Sequence, residues 1–217
     1  MSESALPGVD KRAIDVWCTW LDKMATDAEA ALAAAIAYQD LDGAAREVWL
    51  TTLEQDAKRL SVPRIAVYAP LLAVESDPAR RRRITDAIGP ADARSSPQTP
   101  ARGLRGTARD GTRVAAVVCP LYLEFVQVLA CGYAVGERFE WVNHDPIVAA
   151  ARAPQPGEAL RGVVLETMPL NALVDELALT VVAHARQGRN MPEGLSVFAD
   201  LFGLSPSGTV PSPGSEP

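Results

Sequence analysis

The stretch VAAVVCPLYLEFVQVLACGYAV, Val114 to Val135, is the most apolar part of the chain, and its folding decides what the rest packs around. Only Glu124 and Gln127 interrupt it with strongly polar side chains. It is long enough to cross a bilayer, for which ~20 apolar residues suffice. Against that, Pro120 would kink a spanning helix, and Glu124 near mid-membrane would cost about 2.5–3.5 kcal/mol on insertion scales. Arg113 precedes the stretch and Glu137 and Arg138 follow it, so neither flank carries a clear positive bias. No membrane span is expected.

Pro120 divides the run. Before it, Thr112 to Val118 is rich in β-branched residues and follows Asp110-Gly111, a hairpin signal. After it, proline suits a first helical turn. Glu124, Gln127 and Cys131 are spaced by three and four, which places them on one stripe of a helix that is apolar everywhere else. A helix apolar on nearly all sides is a buried one. The pattern predicts a central buried helix over Leu121 to Val135, with a buried strand as the competing reading, because short apolar runs are ambiguous by periodicity.

Outward from this centre the periodicity is helical. One long amphipathic helix is predicted from a cap at Asp10 to Ile36. A second, capped by Asp42, buries Ala45, Val48, Trp49, Thr52, Leu53, Ala57 and Leu60. Ser61-Val62-Pro63 starts a helix kinked or interrupted at Pro70, and Asp77-Pro78 starts another that stops at Gly89-Pro90. On the C-terminal side, Asp145-Pro146 marks a helix start and Met168-Pro169 opens an amphipathic helix ending at Gly188. A short last helix carries Leu195, Phe198, Leu201 and Phe202. The fold class read from this pattern is mainly α, bundle-like, with a short β-hairpin or strand around residues 104–119. The segments are a disordered lead (1–9), an N-terminal helical part (10–89), a loop or linker (90–111), an apolar central and C-terminal helical part (112–203) and a disordered tail (204–217).

Composition narrows the function. The 217 residues are 48% hydrophobic and carry a formal net charge of −6, which argues against a strongly basic nucleic-acid binder. Three cysteines without C-x-x-C spacing fit neither a disulfide framework nor a thiolate metal site, and suit a reducing compartment. The first residues, MSESALPGVDKR, lack the basic-then-apolar order of a signal peptide, and a cytoplasmic protein is expected.

No nucleotide-binding, nucleophile-elbow or zincin motif is present, and two histidines cannot build a three-histidine zinc site. No catalytic residue, metal site or cofactor is assigned. The polar groups placed to line a pocket beside the central helix are Cys119, Glu124, Gln127, Glu140 and His144. Arg80, Arg81, Arg82 and Arg83 form a basic run that would bind anions, or else a solvated helix face, since no aromatic residues interleave with them. These features favour a cytosolic interaction protein (an adaptor, scaffold or subunit) that meets a protein partner or a second copy of itself and has no catalytic activity of its own. The alternative is an enzyme or small-ligand binder whose pocket borders the central helix. Nucleic-acid or acidic-partner binding through Arg80 to Arg83 is the weaker third reading.

Overall fold

The computed structural model describes residues 11–57, 59–93 and 100–196. The expected lead and tail, the Asp10 cap and the last helix beyond residue 196 lie outside them. The chain divides into two compact units, each assembled from three segments. Met1–Pro100, Cys119–Val128 and Asp145–Ala153 make the first; Ala101–Val118, Leu129–His144 and Pro154–Pro217 make the second.

The helices of the first unit are α1 (Lys11–Lys23), α2 (Ala28–Gln39), α3 (Gly43–Asp56), α4 (Arg64–Val74) and α5 (Pro78–Ala93), the last broken at Gly89. The single long helix expected over residues 10–36 is two. Asp27 leaves helical geometry and its carboxylate accepts from Glu29 N (2.9 Å) and Ala30 N (3.4 Å), capping α2. Asp42 caps α3 through Ala45 N at 2.8 Å, as its spacing predicts. A helix buried on nearly every side does exist, but it is α4. Ile65, Ala66, Val67, Tyr68, Pro70 and Leu71 are all buried, and the helix runs on through Pro70. It packs on both α2 and α5. Alanines 31, 34 and 35 of α2 are buried, small enough to let two backbones approach closely. The core also takes in Tyr122, Phe125 and Ile147, with Tyr122 and Phe125 edge to face at 5.4 Å.

Among the described residues of this unit one charge is buried. Glu75, at the end of α4, is 2% exposed. Its carboxylate accepts from Tyr38 Oη (2.7 Å), Arg80 Nε (2.7 Å), Arg46 Nη1 (3.4 Å) and Asp77 N (2.8 Å). Burial alone would raise its pKa. The Arg80, Asp77 and Tyr38 hydrogen bonds outweigh burial and bring the pKa down to about 2.

The strands are β1 (Arg102–Thr107), β2 (Arg113–Pro120), β3 (Phe125–Ala134), β4 (Arg138–Ala149), β5 (Ala159–Leu160), β6 (Val163–Val164) and β7 (Glu166–Met168). Five form one antiparallel sheet in the order β4-β3-β2-β1-β7, and β5 and β6 form a separate hairpin. With α6 (Leu170–Arg186) and the short α7 (Glu193–Ser196), the fold mixes helix and sheet, which overturns the mainly α, bundle-like expectation. No helix among the described residues is long and apolar enough to cross a membrane.

The correction begins at the apolar run. Pro120 closes β2 and does not open a helix, a strand-end position where its missing donor is tolerated. Leu121 to Glu124 make a turn with Leu123 at φ 48°, and Phe125 onward is strand. The residues of β3 are buried on both faces, so no period-2 alternation reaches the sequence, and the three-four polar spacing mimics a helical stripe. The predicted helix at Asp145-Pro146 is likewise strand β4. It is an edge strand, where proline is admitted. β1, meanwhile, lies inside the stretch that composition marks as linker.

Within the second unit, successive residues of β1 face different elements. Gly103 and Arg105 meet α6, while Gly106 meets the β5–β6 hairpin. Glu176 of α6 accepts from Arg105 Nη1 (2.9 Å), Arg113 Nη1 (2.8 Å) and Tyr133 Oη (2.8 Å). His184 Nδ1 accepts the Phe139 N–H at 3.2 Å and Nε2 lies 3.1 Å from the Asn190 carbonyl, which fixes the Nε2–H tautomer.

Two outcomes follow from this packing. Because the Glu75 pKa is lowered on folding, its contribution is complete above the unfolded value near 4.3 and is lost as pH falls toward about 2. Urea denaturation from pH 5 to pH 2 should show a loss on the order of 3 kcal/mol, absent from Glu75→Gln, which itself costs about 3–5 kcal/mol at neutral pH. A Cβ at Gly106 would overlap the Val164 carbonyl and lie 2.6 Å from Val163 Cγ1, so Gly106→Ala should lower stability by at least about 2 kcal/mol in the same assay.

Candidate docking groove

Tryptophan is the residue type most often found to dominate binding interfaces, and three of the chain's four lie in one cluster of the first unit. Helical spacing sets the walls. Ala13, Ile14 and Trp17 present one face of α1. Ala45, Val48, Trp49, Thr52, Gln55 and Asp56 follow the three- and four-residue steps of α3. Leu41, in the turn before α3, and Arg59, after it, complete a groove of about 820 Å³.

Its floor is aromatic. Trp17 and Trp49 meet edge to face, with centroids 5.3 Å apart and planes at 78°. Trp20 lies 5.4 Å from Trp17 and 6.2 Å from Trp49, and Tyr38 lies 6.2 Å from Trp49. Trp17, Trp20, Leu41 and Trp49 rest on the buried core. Among the described residues the buried indole nitrogens of Trp17 and Trp49 have no hydrogen-bond partner, a cost that phenylalanine would avoid at either position. Val48 stands 67% exposed at the groove. The polar groups gather toward the C-terminal end of α3, where Arg59 pairs with Asp56 at 3.4 Å. The walls therefore offer a large apolar surface and a few polar groups at one end.

A second groove of about 600 Å³ has a charged lining that includes Glu54, Arg64, Tyr68, Arg82, Arg83 and Asp86. It shows where the basic run goes. Arg80 is spent on Glu75 and also approaches Glu47 (3.7 Å). Arg81 Nη1 donates to the carbonyls of Leu72 (2.9 Å) and Glu75 (2.6 Å). Arg83 donates to Glu54 (2.7 Å) and Glu47 (2.6 Å). Arg82 is exposed at this groove. Three of the four arginines thus tie α5 to α3 and to the end of α4.

The five residues proposed to share a pocket are not brought together in either groove. Cys119, Glu124 and Gln127 belong to the first unit, Glu140 and His144 to the second. Glu124 and Glu140 are exposed, and Glu140 pairs with Arg138 at 2.8 Å. Glu140 and His144 share a strand face but are separated by four residues, about 13 Å at strand rise, well beyond acid–base reach. Burial pushes the Cys119 thiol up, away from the thiolate a nucleophile requires. Among the described residues no group of three or more His, Cys, Asp or Glu side chains is placed to hold a metal ion.

The residues that line the groove were visible in the sequence as a helical stripe, and a stripe of that kind reads as core. The signal pointing further is concentration: Trp17, Trp20 and Trp49 fall within 33 residues of a chain that is only 6% aromatic. No protein-family model, no curated protein and no solved structure matches the chain.

The floor and the α3 wall should respond differently to substitution. Trp49→Ala, which empties the floor, should cost about 3–5 kcal/mol. Val48→Asp, at an exposed position, should change stability by no more than about 0.5 kcal/mol. It should nevertheless abolish the fluorescence enhancement of a polarity-sensitive apolar dye. Undiminished dye binding by a folded Val48→Asp would mean that the groove is not an accessible apolar surface.

Proposed function

We propose that this chain is a cytosolic protein-interaction protein, an adaptor, scaffold or subunit, that receives an apolar segment of its partner in the tryptophan-lined groove. The observation that carries the reading is the combination of about 820 Å³ of open apolar space with an indole floor and the exposed Val48 at its wall. Apolar surface of this kind is unfavourable in water unless something covers it. A ring cluster anchored on a buried core also matches the rigid aromatic anchors that dominate binding energy in interfaces. The partner is another protein or a second copy of the chain, and the protein performs no chemistry of its own. Three free cysteines accord with a reducing compartment.

A photocrosslinking amino acid placed at Val48 tests this in cells. It should yield one discrete adduct, with another protein or with a second copy. The same probe at Val16, which is 69% exposed on α1 and does not line the groove, should not. Equal labelling from both positions, or none from Val48, would sink the reading.

A further inference from the structure

We infer that the charged groove lined by α4, α5 and the C-terminal end of α3 is a second binding site, which holds a small molecule by its phosphate group. It is separate from the tryptophan groove and goes beyond the docking reading above.

The site is built on one face of α4. Arg64 is the first residue of that helix and Tyr68 follows four positions on, so both project from one side. Both line the groove. Tyr68 is only 1% exposed, and its hydroxyl hydrogen-bonds to no described residue. The charges that act on that hydroxyl are those of Glu54, Arg64 and Arg83, all three of them groove residues, which places it on the groove side of α4. Burial first, and Glu54 next, push its pKa up to about 12, so at neutral pH it keeps its proton. A buried hydroxyl with a proton to donate and no acceptor is a position that a ligand oxygen completes.

Charge decides which kind of oxygen. Glu54 and Arg83 form a bidentate pair, at 2.7 and 2.8 Å, and cancel. The remaining charges of the lining are the guanidiniums of Arg64 and Arg82 against the single carboxylate of Asp86. Arg82 is exposed and has no ion-pair or hydrogen-bond partner among the described residues. α4 adds to these cations, because its N-terminal end, at Arg64, has no side-chain cap and a helix N-terminus favours an anion. Two guanidiniums and a hydroxyl offer donors in several directions, which suits the three terminal oxygens of a phosphate better than the two of a carboxylate.

Volume decides the size. Ala57, Ala79 and Ala87 are short side chains in the lining, and about 600 Å³ stays open between the helices. That lies within the roughly 300–1,000 Å³ of small-molecule sites and is much more than a bare phosphate fills. A nucleic-acid backbone fits less well, since it needs a row of free cations, and Arg80, Arg81 and Arg83 are engaged within the protein.

Calorimetric titration of the full-length protein with glycerol phosphate, glycerate and inorganic phosphate tests this. None of the three has an apolar ring to enter the tryptophan groove. Glycerol phosphate should bind saturably, and glycerate at least about tenfold more weakly. Arg82→Ala and Tyr68→Phe should each weaken glycerol phosphate at least about tenfold, the worth of one hydrogen bond to a charged group. Tyr68→Phe should meanwhile melt at or above the temperature of the parent protein, because the hydroxyl it removes has no partner in the fold. A tyrosine with a merely structural role would lose stability and leave binding alone. Affinity that either substitution leaves untouched in a folded protein overturns the site, as does no saturation by ~10 mM glycerol phosphate. Glycerate binding as tightly overturns the phosphate assignment, and inorganic phosphate binding more tightly overturns the small-molecule one. Crosslinking from Val48 is read separately, so the docking reading stands or falls by itself.

Discussion

The buried carboxylate of Glu75, at the end of α4, ties α2, α3 and α5 of the first unit to it. Water is excluded from it, so every donor it accepts from is held strongly, and any donor removed would leave an uncompensated buried charge. Those donors come from α2, α3 and the start of α5, that is, from Tyr38, Arg46, Asp77 and Arg80. Arg46 carries the constraint onward. It also donates to the carbonyls of Gln39 (2.6 Å) and Leu41 (3.0 Å), which pins the turn between α2 and α3. Leu41 is a wall of the tryptophan groove. The groove is thus shaped before anything enters it, and a preshaped site loses less ordering entropy on binding.

The second unit uses the same device. Glu176 accepts from one tyrosine and two arginines, as Glu75 does, and joins α6 to three strands of the sheet. In both cases the tyrosine hydroxyl is held as a donor, because burial first and the adjacent carboxylate next push its pKa up. The role of the two carboxylates is to align elements that alternation and amphipathicity alone leave free to slide.

Much of the helical layer was legible in the chain. Asp42 reads as a cap and is one, Asp77-Pro78 starts a helix as expected, and the Gly89 break and the α6 helix fall where turn chemistry puts them. Of the sheet, only the hairpin expected around residues 104–119 was legible, as β1 and β2; the rest was not, for a physical reason. β3 is buried on both faces, and a strand covered on both sides loses the period of two by which strands are recognised. Its polar residues then fell by chance at helical spacing. The buried all-round helix was sought in Leu121 to Val135 and occurs in α4, whose Pro70 looked like an interruption. The arginine run looked like a free cationic surface because its acceptors, Glu47 and Glu54, lie 36 and 29 positions earlier. For the groove, a sequence reports which residues are apolar and not which of them stay uncovered. Val48 and Leu53 belong to one predicted buried face, yet one is 67% exposed and the other 0%.

The interleaving of segments bears on how the protein is made. Tyr122, Phe125 and Ile147 complete the core of the helical unit, and they are translated well after the helices they join. At about 5–20 residues per second, the ribosome takes roughly 3–10 s to pass from Pro100 to Ala153. Throughout that interval the nascent helices lack part of their own interior. A pause in translation between these points would leave exposed the apolar surface of the earlier helices that Tyr122, Phe125 and Ile147 cover in the finished molecule.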